Sequence, residues 1–202
     1  MKKRLGPVIL LTLLVQVLPA CGQLTIDAAG VLAFTRIQGT TYVLLADHRN
    51  SERGWGTFGG HREKGEAIEE TAWREFTEET RCIYRDLPPV DLTMAPRVTE
   101  GTYVSYLVEV PYVPAQTFSS SPAYPDCQGP EFSERGPWAW VPLDVLERVL
   151  EEGEAEGQYR LPSSCVPEGS LNRLWRVSAT VIHSSIREGH LAPPDSTVET
   201  AR

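Results

Sequence analysis

The segment from Gly59 to Cys82 constrains this chain more than any other. Its stretch Ala67–Thr80 holds neither glycine nor proline and is rich in Glu and Ala, which predicts a helix. On that helix Ile68, Ala72 and Phe76 form an apolar stripe that docks on a sheet. Glu75, Glu78 and Glu79 fall at i, i+3 and i+4, so they share one face beside the stripe. Three carboxylates on one face repel one another unless positive charge sits among them. Hard oxygen ligands gathered this way suit Mg²⁺ or Mn²⁺. Arg74 lies next to Glu75 and can neutralise a partly buried carboxylate, with Glu66 as a plausible partner. Glu66 also stands at the helix start, where the macrodipole favours negative charge. The pair Gly59-Gly60 permits backbone geometry that turns a carbonyl towards a metal.

Around this helix the pattern is strand-rich. Leu24–Phe34 and Thr41–Ala46 read as strands, and Asp47–Gly60 reads as a polar, glycine-rich loop. Thr102–Val110 alternates and predicts another strand. The 111–136 segment carries Pro111, Pro114, Pro122, Pro125 and Pro130, which marks a long irregular loop of the kind that often serves function. A short strand Trp138–Val141, a helix Leu143–Glu152 closed by Gly153, and a third helix Leu171–Ile186 follow. Strands, then a helix, then more strands predict a mixed α/β sandwich rather than a doubly wound sheet. No internal repeat, Walker loop or zinc-type Cys/His spacing is present.

The segment Gly60–Cys82 resembles the Nudix box, G-x5-E-x7-R-E-U-x-E-E-x-G-U with U bulky and apolar. Gly60, Glu66, Arg74-Glu75-Phe76 and Glu78-Glu79 fall in register. Six fixed positions match by accident about once in 10⁷ windows at ~7% usage each. Two positions depart: Arg81 stands where the family has glycine, and Cys82 at the last apolar position. A glycine there ends the helix in a left-handed conformation. A non-glycine costs about 1–2 kcal/mol or reshapes the cap.

The resemblance implies an α/β/α sandwich around a mixed β-sheet, with the domain spanning 24–160 and a helical extension and tail over 161–202. It implies hydrolysis of a pyrophosphate bond in a nucleoside diphosphate linked to another group, with a divalent metal and an activated water. By position, Glu75, Glu78, Glu79 and the carbonyl of Gly60 are the implied metal ligands, and Glu66 with Arg74 the structural pair. Metal ions neutralise the anionic oxygens of the substrate, and a carboxylate takes a proton from the attacking water. Glu79 is one candidate for that role. Glu134, which precedes Trp140-Val141-Pro142-Leu143, is the better loop candidate, and Glu131 is the alternative. Trp55, Trp138, Trp140 and Tyr112 are candidates for base stacking, though aromatics more often serve as core or rim. His61 is placed to touch phosphate, and His183 reads as structural. The alternative function is a Nudix-fold module that binds or senses a nucleotide without turnover. A third reading is an unrelated acidic cation-binding lipoprotein.

Charge excludes a nucleic-acid surface spread over the protein, since 19 Lys+Arg face 27 Asp+Glu for a net of −8. The N-terminus Met1-Lys2-Lys3-Arg4, followed by an apolar run over 8–18, reads as an export signal over 1–20. Leu18-Pro19-Ala20-Cys21 resembles the bacterial lipobox, in which the cysteine carries lipid. That implies an exported, membrane-anchored lipoprotein on the periplasmic face, with a soluble secreted or periplasmic protein and an uncleaved anchor as the other readings. Pro19 is unusual there, and almost no linker separates Cys21 from the first strand. Without Lys2, Lys3 and Arg4 the 19 basic residues become 16, and the net charge becomes −11. A lipid tether would then matter more than surface charge at an anionic membrane. Export also opens the pairing of Cys127 with Cys165 in an oxidising compartment, against two free thiols. Cys82, in an apolar setting, reads as a small buried hydrophobe.

Overall fold

The computed structural model describes residues 25–49, 51–87, 91–120 and 124–192. The leader 1–20 and Cys21 lie outside them. One mixed sheet organises the chain. Its order is β5 (Arg97–Glu100), β6 (Tyr103–Glu109), β1 (Ala28–Ile37), β2 (Thr40–His48), β3 (Trp55–Gly56), β9 (Arg173–Leu174) and β8 (Tyr159–Arg160). Two further strands join inner members: β4 (Phe58–His61) pairs with β1, and β7 (Arg135–Pro142) pairs with β2. β1 runs parallel to β6, and β3 parallel to β9; the other ladders are antiparallel. Among the described residues no helix is long and apolar enough to cross a membrane.

Both faces of the sheet are covered, which is why β1 and β2 are nearly continuous apolar runs rather than alternating ones. Leu32, Phe34, Val43 and Leu45 point to one face, where α3 (Leu143–Glu156) and α4 (Arg176–Arg187) pack. Val31, Ala33, Leu44 and Ala46 point to the other, against α1 (Ile68–Glu79) and the short α2 (Ala115–Ser119). The result is the expected helix–sheet–helix sandwich. Residues 173–191 belong to the same sheet and core: β9 pairs with β3, and Ala179, Val181, Ile182 and Leu191 are buried.

Several element bounds differ from the sequence pattern. The second helix runs through Gly153 to Glu156 and ends at Gly157, whose φ of +71° supplies the left-handed cap. Gly153 is tolerated inside because the Tyr159 ring lies where a Cβ would stand. The third helix begins at Arg176, not Leu171, because Arg173–Leu174 is drawn into the sheet by Trp55. The proline-rich loop contains α2 and a 3₁₀ turn, Pro130–Ser133.

The cysteines pair differently from the expectation. Cys82 bonds to Cys127, and Cys165 is free. The reason is the helix exit: Arg81 and Cys82 both take left-handed φ values, 55° and 60°, which swing Cys82 towards the 111–136 loop. The Cys82 N–H donates to the Thr77 carbonyl at 2.8 Å and the Arg81 N–H to that of Glu78 at 2.9 Å. This is a Schellman cap built without its glycine. Two non-glycine left-handed residues cost about 1–2 kcal/mol each. A disulfide closing a 45-residue separation returns about 4 kcal/mol in the chain-entropy model. The cross-link is therefore large enough to hold the strained exit.

Candidate active site

α1 is capped by Ala67, whose N–H donates to Glu70 Oε2 at 2.7 Å, and its first turn carries Glu69 and Glu70 where negative charge is favoured. Its buried residues are Thr71, Ala72, Phe76 and Glu79. Ala72, Phe76 and Glu79 stand at i, i+4 and i+7, so Glu79 lies on the seam itself while Glu75 and Glu78 flank it.

Arg74 collects the flanking carboxylates. Its Nε donates to Glu66 Oε1 at 2.8 Å, and its Nη1 donates to Glu75 Oε1 at 2.9 Å and Glu78 Oε2 at 3.1 Å. Its Nη2 donates to the His61 carbonyl at 3.1 Å. Glu66 also accepts from the Glu63 N–H at 3.0 Å and from Thr71 Oγ1 at 2.8 Å. Hydrogen bonds from Arg74 above all hold Glu66 down to a pKa of about 2. Glu66 and Arg74 thus join the loop to the helix. Gly60 completes the local fit, because a Cβ there would stand 2.3 Å from Glu75 Oε1.

Burial raises the carboxyls of Glu75 and Glu78 above the usual range, with Arg74 opposing. The field of Glu134 adds to the rise at Glu75, and that of Glu131 to the rise at Glu78. The turn Pro130–Ser133, with Glu134 as its cap, packs against α1 and places both loop glutamates near its acidic residues. Glu134 is exposed; Glu131 is half-buried.

Glu79 has a different environment. Its Oε1 takes a 2.6 Å bond from Arg135 Nε, and its Oε2 takes a 2.8 Å bond from the Gly59 N–H. Its backbone carbonyl accepts from Trp138 Nε1 at 3.1 Å. Burial pushes its carboxyl up to about 7, against the pull of Arg135. Arg135 is 2% exposed, donates also to the Thr57 carbonyl, and leaves Nη1 without a partner among the described residues. Arg135 was not marked by the sequence. Its only signal is position, at the first residue of β7 directly after the loop, opposite His48. Burial, aided by Arg135, lowers the His48 pKa to about 4, so that ring is neutral near pH 7.

The aromatic candidates divide. Trp55 and Trp138 are core residues, at 0% and 3% exposure, because β3 lies between β2 and β9 and Trp138 of β7 stacks on buried Phe118 of α2; neither has a free face for a base. Trp140 is half-buried, donates to the Val113 carbonyl at 2.8 Å and packs on exposed Tyr112. The side chain of His61 is exposed, and His183 pairs with Glu154 at the surface, at 3.1 Å.

Among the described residues no three acidic, His or Cys side chains surround a point that would hold a metal ion. Two carboxylates come near to this. Glu75 and Glu78 each present an oxygen to the same cationic nitrogen, Arg74 Nη1, with no soft ligand beside them. That donor chemistry fits a hard dication. The oxygens of Glu79 point away from that spot, to Arg135 and Gly59.

A NUDIX domain model matches residues 24–162, and the chain belongs to that family. No curated protein matches it with significant similarity. Among solved structures it is similar to a C. elegans Ap4A hydrolase binary complex, at 18% identity over 65% of this chain and 91% of that one, with a TM-score of 0.43. It is similar to the NUDIX domain of Shewanella oneidensis NrtR complexed with ADP ribose, at 17% identity over 86% and 94%, with a TM-score of 0.45. The E. coli dihydroneopterin triphosphate pyrophosphohydrolase gives 15% identity over 81% and 99%, with a TM-score of 0.43. The family membership rests on the domain match.

Proposed function

We propose that this protein is a metal-dependent pyrophosphohydrolase acting on a nucleoside diphosphate linked to another group. The observation that supports this reading most is the convergence of Glu66, Glu75 and Glu78 on Arg74, in the register of the Nudix box. Glu75, Glu78 and the Gly60 carbonyl would hold Mg²⁺ or Mn²⁺, and Glu79 would join them by leaving Arg135. Such an ion, when bound, neutralises phosphate oxygens and acidifies water. The chain's own residues do the rest. Arg74 keeps Glu75 and Glu78 pointing the same way. Glu134, exposed beside Glu75, accepts the proton of the attacking water at its carboxylate, with Glu131 as the alternative acceptor. The 111–136 loop, tied down at Cys127 by its bond to Cys82, shapes the substrate side.

The test is turnover of a panel of nucleoside triphosphates, dinucleoside polyphosphates, sugar nucleotides and ADP-ribose by the purified protein with Mg²⁺ or Mn²⁺, with products identified by mass. Cleavage at a phosphoanhydride is expected, lost with chelator. The absence of any product would favour the second reading, a nucleotide-binding module without turnover. That reading is favoured by the engagement of both Glu79 oxygens by Arg135 and Gly59.

Export belongs to the same proposal. The disulfide supports an oxidising compartment, and Cys21 would carry the lipid. Cys21→Ser is expected to move the protein from the membrane fraction to the soluble one. A wild-type protein found soluble, with an unmodified mature N-terminus by mass, would remove the lipid anchor.

A further inference from the structure

A large cavity lies away from the box. It has a volume of about 700 Å³ and opens between the β2–β3 loop, the end of α3 and the start of α4. Its size is that of a small-molecule site. Its floor belongs to the α3/α4 face: Leu174 of the lining is in that core, whereas Ala72 and Phe76 of the box helix are in the other.

The floor is fixed. The Trp175 N–H donates to the Trp55 carbonyl at 2.7 Å, and Trp55 Nε1 donates to the Leu171 carbonyl at 2.6 Å. Trp175 and Tyr159, both half-buried, give flat apolar walls. Three arginines surround them. Arg53 lies over the Trp175 ring, 5.1 Å from its centroid, Arg173 donates to the Glu52 carbonyl at 3.2 Å, and Arg176 opens α4. Among the described residues the guanidinium groups of Arg53 and Arg176 have no hydrogen-bonded or ion-paired partner. The lining holds two acidic side chains, Glu52 and Glu154, the latter 3.1 Å from His183, so arginines outnumber carboxylates three to two. Arginine is suited to planar recognition of phosphate, and aromatic walls to stacking of a base.

We infer that this cavity is a second ligand site, separate from the box, for a small anion carrying an aromatic ring, of the nucleoside monophosphate class. The phosphate lies against Arg53 and Arg176, and the ring against Trp175 or Tyr159. No residue of the box takes part.

The test is calorimetric titration of the full mature protein with adenosine 5′-monophosphate in the presence of EDTA, which keeps divalent ions from the box. One saturable site is expected. Adenosine alone and inorganic phosphate alone are expected to bind at least tenfold more weakly, since each satisfies half of the cavity. Arg53→Ala and Arg176→Ala, both at exposed positions, should each weaken the monophosphate at least tenfold at unchanged thermal midpoint. Glu78→Gln should leave its affinity within twofold. The inference is overturned by absence of binding at millimolar ligand, by phosphate binding as tightly as the monophosphate, or by binding that survives both arginine substitutions. It is also overturned by binding that falls with Glu78→Gln. Turnover at the box plays no part in these outcomes, so this site and the proposed activity fail independently.

Discussion

Arg74 and Arg176 lie on opposite faces of the same sheet and keep different company. Arg74 is shared by Glu66, Glu75 and Glu78, so a single positive charge holds three negative ones and the box remains short of cations. Around Arg176 the balance is reversed: Arg53 and Arg173 line the same cavity, so three guanidinium groups face only Glu52 and Glu154. The net charge of −8 hides this, because it sums two local imbalances of opposite sign. The lesson is that ligand chemistry follows the local deficit. A face of carboxylates gathered on one guanidinium calls for dications, and a face of unpaired guanidinium groups calls for an anion.

The sharpest way to break the comparison is at the one place where the box face balances its charge internally. Glu79 and Arg135 form a buried pair, at 7% and 2% side-chain exposure. Removing one member leaves the other buried and uncompensated, which costs about 3–5 kcal/mol. Glu79→Gln is thus expected to lower unfolding stability by that amount in chemical denaturation, as well as to slow turnover. Arg135→Met added to Glu79→Gln should recover most of the stability. A loss under about 1 kcal/mol for the single variant would mean that the pair does not form. The cysteines extend the test to the two faces of the sheet. Cys127→Ser should cost about 4 kcal/mol, because it opens the loop closed by Cys82. Cys165→Ser, at a free thiol beside the α3/α4 core, should shift stability by no more than about 0.5 kcal/mol. Equal losses for the two would contradict the pairing.

The parts of the site legible in the sequence are those set by local geometry. Gly60, Glu66, Arg74, Glu75 and Glu78 are held by one loop and one helix, so spacing alone places them. Arg135 is 56 residues from Glu79, and only the register of β7 against β2 brings it there. No periodicity encodes that. The disulfide partner was hidden for the same reason, since spacing does not determine connectivity, and two left-handed residues aim Cys82 at the loop. Central strands were visible from their apolar runs, but Tyr159–Arg160 and Arg173–Leu174 are two-residue strands, too short for a pattern. Trp55 was ambiguous because indole suits both a core and a stacking site, and only the burial of β3 decides between them.

Glu78→Gln sharpens the functional side of the contrast. Glu78 flanks the seam, so its loss should leave the thermal midpoint nearly unchanged while lowering turnover at least about a hundredfold, as removal of a metal ligand does. Near-normal turnover would take Glu78 out of the metal site. The smallest effect concerns Glu66, whose carboxyl is held down from 4.5 to about 2, chiefly by its hydrogen bonds from Arg74. A depressed folded-state pKa contributes stability that is complete above the unfolded value and is lost as pH falls through the folded one. Wild-type protein should therefore be more stable than Glu66→Gln above pH 4.5, with the gap closing between pH 4.5 and about 2. Denaturant titrations of both proteins at several pH values across that window read the gap directly. A gap that stayed constant down to pH 2 would show that Arg74 acts on Glu66 through packing rather than charge, and the positive centre of the box face would then have to be sought elsewhere.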